Sequence, residues 1–242
     1  MEYNASTRVR YDKKWIVFLR RSRLFRHIPF VEFALAAGSM ALGNVRESSD
    51  FDVIVGARSG RIFTARFFAI LFFGMRGWRR KKLHIGEEKP KETRNKICLN
   101  HFVTEARFCL RPPHSPYWKT LYQNLVPLCG DREKITAFFK ANESWANQPP
   151  TANHQPLEWR YEDLRYRHTT PSILKALPER MLNGQFGNVL EHLLRRAQLR
   201  RIERGLARTQ GYQPRIVYSD EELEFHPDTR RIEKMERGVM KL

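Results

Sequence analysis

The sequence predicts a small α+β (α/β) core, a small mixed sheet flanked by helices, followed by a mostly helical C-terminal region. Three observations carry this. Short runs rich in β-branched and apolar residues lie at 31–37, 50–55 and 96–104. Segments of helical periodicity alternate with them. A proline-rich break at 111–116 (RPPHSP) then opens a stretch of predominantly helical pattern. The organisation read from this is a core over 1–115 and a basic helical region over 116–242.

Each element has its own signal. In residues 9–26, Trp15, Val17, Phe18 and Leu24 recur loosely at helical spacing among lysines and arginines, which reads as a basic amphipathic helix ended by Pro29. Residues 31–37 (VEFALAA) read as a buried strand running into a Gly38-Ser39 turn. Residues 43–49 form a polar loop before the second strand, DFDVIV. Residues 62–75 (IFTARFFAILFFGM) are shorter than the roughly 20 residues a membrane-spanning helix needs. Arg66 interrupts them, so a buried core helix is expected. The competing reading is a membrane-surface segment anchored by Arg76, Arg79, Arg80, Lys81 and Lys82. A charged connector leads to the third strand at 96–104.

Farther on, residues 117–125 and 132–147 suit helices, and 147–156 looks like a linker. A long helix within 178–209 carries an apolar stripe of Val189, Leu190, Leu193, Leu194, Ala197, Ile202 and Leu206. Arg195, Arg196, Arg200, Arg201, Arg204 and Arg208 crowd its other face, with Glu191 and Glu203 as the few acids there. Residues 215–218 read as a short extended segment, and the tail is charged.

The charge narrows the partners. Lys and Arg number 44 against 26 Asp and Glu, a formal net charge of +18, which attracts polyanions such as RNA. The Trp159, Tyr161 and Tyr166 cluster near Arg160, Arg165 and Arg167 reads as ordinary packing, with base stacking as the alternative. Three cysteines, Cys98, Cys109 and Cys129, are widely spaced and give neither a disulfide framework nor a zinc knuckle. With no signal-peptide pattern at the N-terminus, a cytoplasmic location is expected. Cys98 and His101 are three apart, so on a regular strand they face opposite sides and share no metal.

The chemistry concentrates in residues 36–55, AAGSMALGNVRESSDFDVIV. Residues two apart on a strand share a face, so Asp50 and Asp52 project together while Phe51 and Val53 enter a core. Two adjacent carboxylates repel unless a cation intervenes. Mg²⁺ takes one or two carboxylates together with substrate phosphates. Gly38 lets a phosphate approach the backbone, and turn N–H groups with the Ser39 hydroxyl can hold phosphate oxygens. Arg46 could contact a phosphate, although an exposed loop arginine is the plainer reading.

This arrangement resembles the signature of the DNA polymerase beta-type nucleotidyltransferase superfamily, particularly its minimal and aminoglycoside-type members. The shared pattern is an apolar strand, Gly-Ser, a loop of about ten residues, then Asp-apolar-Asp-apolar. The resemblance covers about twenty residues strongly, and nothing after about residue 116 adds to it. It implies a nucleotidyltransferase-like core that moves a nucleoside monophosphate from an NTP to an acceptor, releasing pyrophosphate. It further implies Asp50 and Asp52 as catalytic ligands of Mg²⁺ (or Mn²⁺), and Gly38, Ser39 and Arg46 as nucleotide-binding residues. The superfamily usually adds a third carboxylate from a later strand, and residues 96–104 hold no acid. Asn100 is nearest in type. Glu105, just past the strand's expected end, is the metal-ligand candidate if the register shifts. The acceptor is RNA, a small molecule or a protein. The alternative is a catalytically degenerate member that binds nucleic acid through its basic surface.

Overall fold

The computed structural model describes residues 5–80, 93–112, 114–146, 172–206 and 215–226. A basic helix, α1 (Ala5–Ser22), buries Tyr11, Trp15, Phe18 and Leu19 along one stripe. A 3₁₀ turn, Arg23–His27, leads to β1 (Val31–Ala36), the short helix α2 (Gly38–Leu42) and β2 (Phe51–Ala57). Helix α3 (Ile62–Met75) then carries the chain over to β3 (Ile97–Val103). The later elements are α4 (Pro116–Gln123), β4 (Val126–Gly130), α5 (Arg132–Ala146), α6 (Ile173–Met181), α7 (Gln185–Leu206), β5 (Arg215–Tyr218) and β6 (Glu222–His226).

The fold is mixed α/β. The strands described form one six-stranded sheet in the order β4-β1-β2-β3-β6-β5. Only β2 and β3 pair in parallel; the other neighbours are antiparallel. Parallel neighbours need a crossover, and α3 lies within it. Alternation along the strands splits the core in two. Phe51, Val53 and Val55 pack with Phe18 and Phe63 on the face covered by α1, α3 and α7. Phe33, Leu35, Ile54 and Val103 pack with Trp118, Leu121 and Phe138 on the face covered by α4 and α5.

Several expectations change. The sheet is not confined to residues 1–115, because β4, β5 and β6 all come from beyond 116 and join the same sheet. The C-terminal region does contain α4 to α7, but its strands are part of the core. The segment containing β6 was read as charged tail; Glu222 and Glu224 are fully buried there. Glu191, expected among the arginines of the polar face of α7, is buried instead. Its carboxylate accepts hydrogen bonds from the Phe63 and Thr64 backbone N–H groups at 2.9 and 2.8 Å. These are orphan donors of the first turn of α3, so α7 caps α3 with a negative charge at its positive end.

The Phe-rich helix is a core helix with one exposed stripe of Phe67, Leu71 and Met75. Its Arg66 is buried, donates to Gln198 at 2.6 Å and lies 5.0 Å from the Phe225 ring centroid. Burial, then Arg79 and Arg201, lowers its pKa to about 10. Among the described residues no helix is long and apolar enough to cross a membrane. Lys81 and Lys82, Arg208, and the Trp159, Tyr161 and Tyr166 cluster lie outside the described residues.

Candidate functional site

The Gly-Ser corner is shaped by its contact with β2. Ala37 ends the β1 pairing by donating its N–H to the Asp52 carbonyl at 3.0 Å. Gly38 follows at φ +58°, in the left-handed region where a Cβ is unfavourable. A Cβ at that position would lie 2.1 Å from Asp52 Oδ2. Glycine is therefore required twice, by its backbone angle and by the carboxylate against it. Ser39 follows Gly38 in the first turn of α2, and Gly43 at φ +76° ends that helix.

The loop to the acids is pinned at its far end. Arg46 and Ser49 close a turn, with the Ser49 N–H donating to Arg46 O and the Arg46 N–H to Ser49 Oγ. Lys14 of α1 donates to Ser49 O and Asn95 Oδ1, both at 2.8 Å. Burial pushes the Lys14 ammonium down to about 8, against the opposing pull of Glu47. Immediately afterwards Phe51 stacks on Phe18, with centroids 4.4 Å apart and planes at 5°. That anchors the strand, so Asp50 and Asp52 are displayed on its opposite side.

Asp50, Asp52 and Cys98 bring one oxygen or sulfur each within 4.8 Å of one another. Cys98 arrives because it is the register partner of Asp52 on β3. Arg80 completes the cluster. Its Nη1 lies 2.5 Å from Asp50 Oδ2 and 3.6 Å from Cys98 Sγ, while its backbone N–H donates to Ile97 O. Burial opposes the charge on Arg80, but the Asp50 and Asp52 carboxylates outweigh it and its pKa rises. Burial, and next the two aspartates, push the Cys98 thiol well up, so it stays protonated.

The donor set suits a hard divalent ion in part. Two converging carboxylates suit one Mg²⁺ whose remaining positions are filled by water and phosphate oxygens. Arg80 engages one oxygen of Asp50 and already supplies part of the positive charge the pair needs. A protonated thiol is a poor ligand for Mg²⁺. The residues thus fit one ion shared by Asp50 and Asp52, with Cys98 standing beside them where an acid would strengthen the site.

Glu105 is not brought to these acids. β3 runs parallel to β2, pairing Cys98 with Asp52 and Val103 with Gly56. Glu105 follows the far end of β3, where it forms an ion pair with Lys134. Asn100 lies on β3 itself and is half-buried. Arg46 is exposed, and the hydrogen bonds given for it are those of its own loop. The sequence reasoning missed Arg80 and Cys98. The aspartate pair was visible because it is local, whereas its neighbours depend on the β2–β3 register.

One register feature overturns an expectation. Between Asp52↔Cys98 and Ile54↔His101, β3 advances three residues while β2 advances two. This irregularity turns β3 so that Cys98 and His101 both face the side of Asp52 and Ile54. They are not on opposite faces, as a regular strand would require.

No family model matches the chain, and no curated protein or solved structure matches it either.

Proposed function

We propose that this protein is a Mg²⁺-dependent nucleotidyltransferase that moves a nucleoside monophosphate from an NTP to an acceptor. The observation that carries this reading is the convergence of the Asp50 and Asp52 carboxylates on one face, with Gly38 packed directly against Asp52. Bound there, Mg²⁺ (or Mn²⁺) would neutralise triphosphate charge and hold its oxygens. Asp50 and Asp52 hold the ion; Ser39 and the backbone of the Gly-Ser corner hold phosphate oxygens. Arg80 balances the charge of Asp50 until the ion arrives. In the reaction an acceptor oxygen or nitrogen forms a bond to the α-phosphorus, the bond to the β-phosphate oxygen breaks, and pyrophosphate carries away the displaced electron pair. The acceptor's proton passes to a carboxylate oxygen or to water. The basic surface favours RNA as acceptor over an uncharged small molecule.

A second reading rests on a specific pair of observations. Arg80 lies on Asp50, and Cys98 rather than an acid stands beside Asp52. Both suit a degenerate site in a protein that binds nucleic acid without transferring a nucleotide. Incubation with each labelled NTP, Mg²⁺ and total RNA separates the two. Transfer with pyrophosphate release, reduced by at least about 100-fold in Asp50→Asn and Asp52→Asn, supports the enzyme. RNA binding that persists in both variants, with no transfer by the parent protein, supports the second reading.

A further inference from the structure

The same face of the sheet carries a second polar cluster, two strands from Asp52 and beneath α4. Glu222, Glu224 and His226 alternate along β6, so all three share a face, and His101 is the register partner of Glu224. The β3 irregularity described above is what brings His101 to this side. Trp118 of α4 covers the cluster: its ring lies 5.4 Å from that of His226 and 4.6 Å from the Arg215 guanidinium.

Each glutamate is divided between two partners. Glu224 gives Oε2 to Arg215 Nε at 2.8 Å and turns Oε1 towards His226 Nε2 at 3.1 Å. Glu222 gives Oε2 to Arg111 Nε at 3.1 Å and turns Oε1 towards His101 Nε2 at 3.5 Å. The side chains of His101, Glu222 and Glu224 are 97% or more buried. Yet His101 Nε2, both Glu222 oxygens and Glu224 Oε1 have no aligned hydrogen bond. Buried polar atoms left so are costly, and several converging on one point need a common partner.

A tetrahedral ion with bonds of 2.0–2.1 Å sets its ligand atoms about 3.3 Å apart. The His226–Glu224 separation, 3.1 Å, is close to that edge length. His101, Glu224 and His226 each bring a ligand atom within 4.8 Å of the others, so a small contraction closes the set. Two imidazole nitrogens disfavour Mg²⁺ and suit Zn²⁺. The arginines take the outer carboxylate oxygens, as outer-shell partners that orient metal ligands do.

We propose that His101, Glu224 and His226 bind a divalent transition metal of the Zn²⁺ type. With its three protein donors divided between β3 and β6 and Trp118 above them, the ion's role is structural. It fastens β6, and with it β5, to the outer edge of β3. It does not depend on the nucleotidyltransferase reading.

The test uses the full chain, stripped with a chelator and titrated with Zn²⁺. About one equivalent should bind, raise the Tm, and show X-ray absorption with nitrogen and oxygen neighbours and imidazole scattering. His101→Ala and His226→Ala should each weaken binding by 100-fold or more, while Cys98→Ser should leave it unchanged. Because a histidine variant can fail to fold, the spectrum of the parent protein is decisive by itself. Sulfur in the first shell would place the ion at Asp50, Asp52 and Cys98 and overturn the proposal. Absence of stoichiometric Zn²⁺ binding would overturn it as well, leaving a metal-free charge network.

Discussion

Asp50 and Asp52 stand at the start of β2 with Arg80 as their neighbouring cation, and the Asp50 side chain keeps 17% of its surface in solvent. Glu222 and Glu224, two strands away on the same face, keep at most 1%. Each of those glutamates has its own arginine and its own histidine. Both regions gather negative charge against an apolar core, but they balance it differently. The first keeps solvent contact, so an incoming ion or phosphate can exchange with what is there. In the second the glutamates and His101 are enclosed, and solvent reaches only the outer partners Arg111 and His226. Exposure of the carboxylates is thus what distinguishes the two clusters.

The largest expected break of this contrast is Glu224→Ala. It leaves Arg215 buried without its carboxylate and should destabilise the protein by about 3–5 kcal/mol, read as a shift in denaturant midpoint. Replacing both partners, Glu224→Leu with Arg215→Leu, should in metal-free protein recover the part of that loss that comes from the orphaned arginine. Asp50→Ala should cost less stability, because the arginine it leaves, Arg80, keeps 23% of its side chain in solvent, and should act mainly on nucleotide transfer.

Gly38→Ala comes next. The left-handed backbone angle alone costs about 1–2 kcal/mol with a Cβ, and the methyl group would displace the Asp52 carboxylate. Transfer activity should fall much further than the Tm. An unchanged rate would show that Asp52 need not sit where it does.

Arg80→Gln sharpens the comparison from the other side. Removing the cation should cost about 1 kcal/mol, as half-open ion pairs do, and tighten Mg²⁺ binding several-fold because the carboxylates lose their counterion. Calorimetry with Mg²⁺ measures it directly; weaker binding would mean that Arg80 orients the acids rather than competing for them.

The effect at Lys14 is confined to alkaline pH. Its pKa falls from 10.5 unfolded to about 8 folded, so between those values the unfolded chain binds the extra proton. Stability should therefore rise as pH increases from about 8 towards 10.5, where the unfavourable burial of the ammonium is relieved. Comparing parent and Lys14→Met proteins across that window isolates the residue; a difference that is flat with pH would show that Lys14 does not titrate there.

What the sequence disclosed follows from range. The β1 strand, its Gly-Ser corner, the Asp-Phe-Asp strand and α3 are local patterns, and the structure holds them where period and turn chemistry put them. Strands β4 and β6 were not legible. VPLCG is too short to read alone, and ELEFH carries charges that hydropathy assigns to solvent. Their burial makes sense only once Arg111, Arg215 and the histidines are in place. Arg80 lay within a connector whose charges gave no hint of direction. The neighbours of the aspartates, and the shared face of Cys98 and His101, depend on a register irregularity that no two-residue alternation can predict.

Sheet order also bears on how the chain is made. The outward edge of β3 is paired at Ile97 by residues 78–80, but from His101 to Val103 its partners among the described residues are 222–224, more than a hundred positions downstream. While a ribosome is still adding that stretch, the backbone amides and carbonyls of a strongly apolar strand stand open to any other nascent chain. Shortened products ending before β6 should therefore be the aggregating species during expression, and chaperone demand should peak late in synthesis.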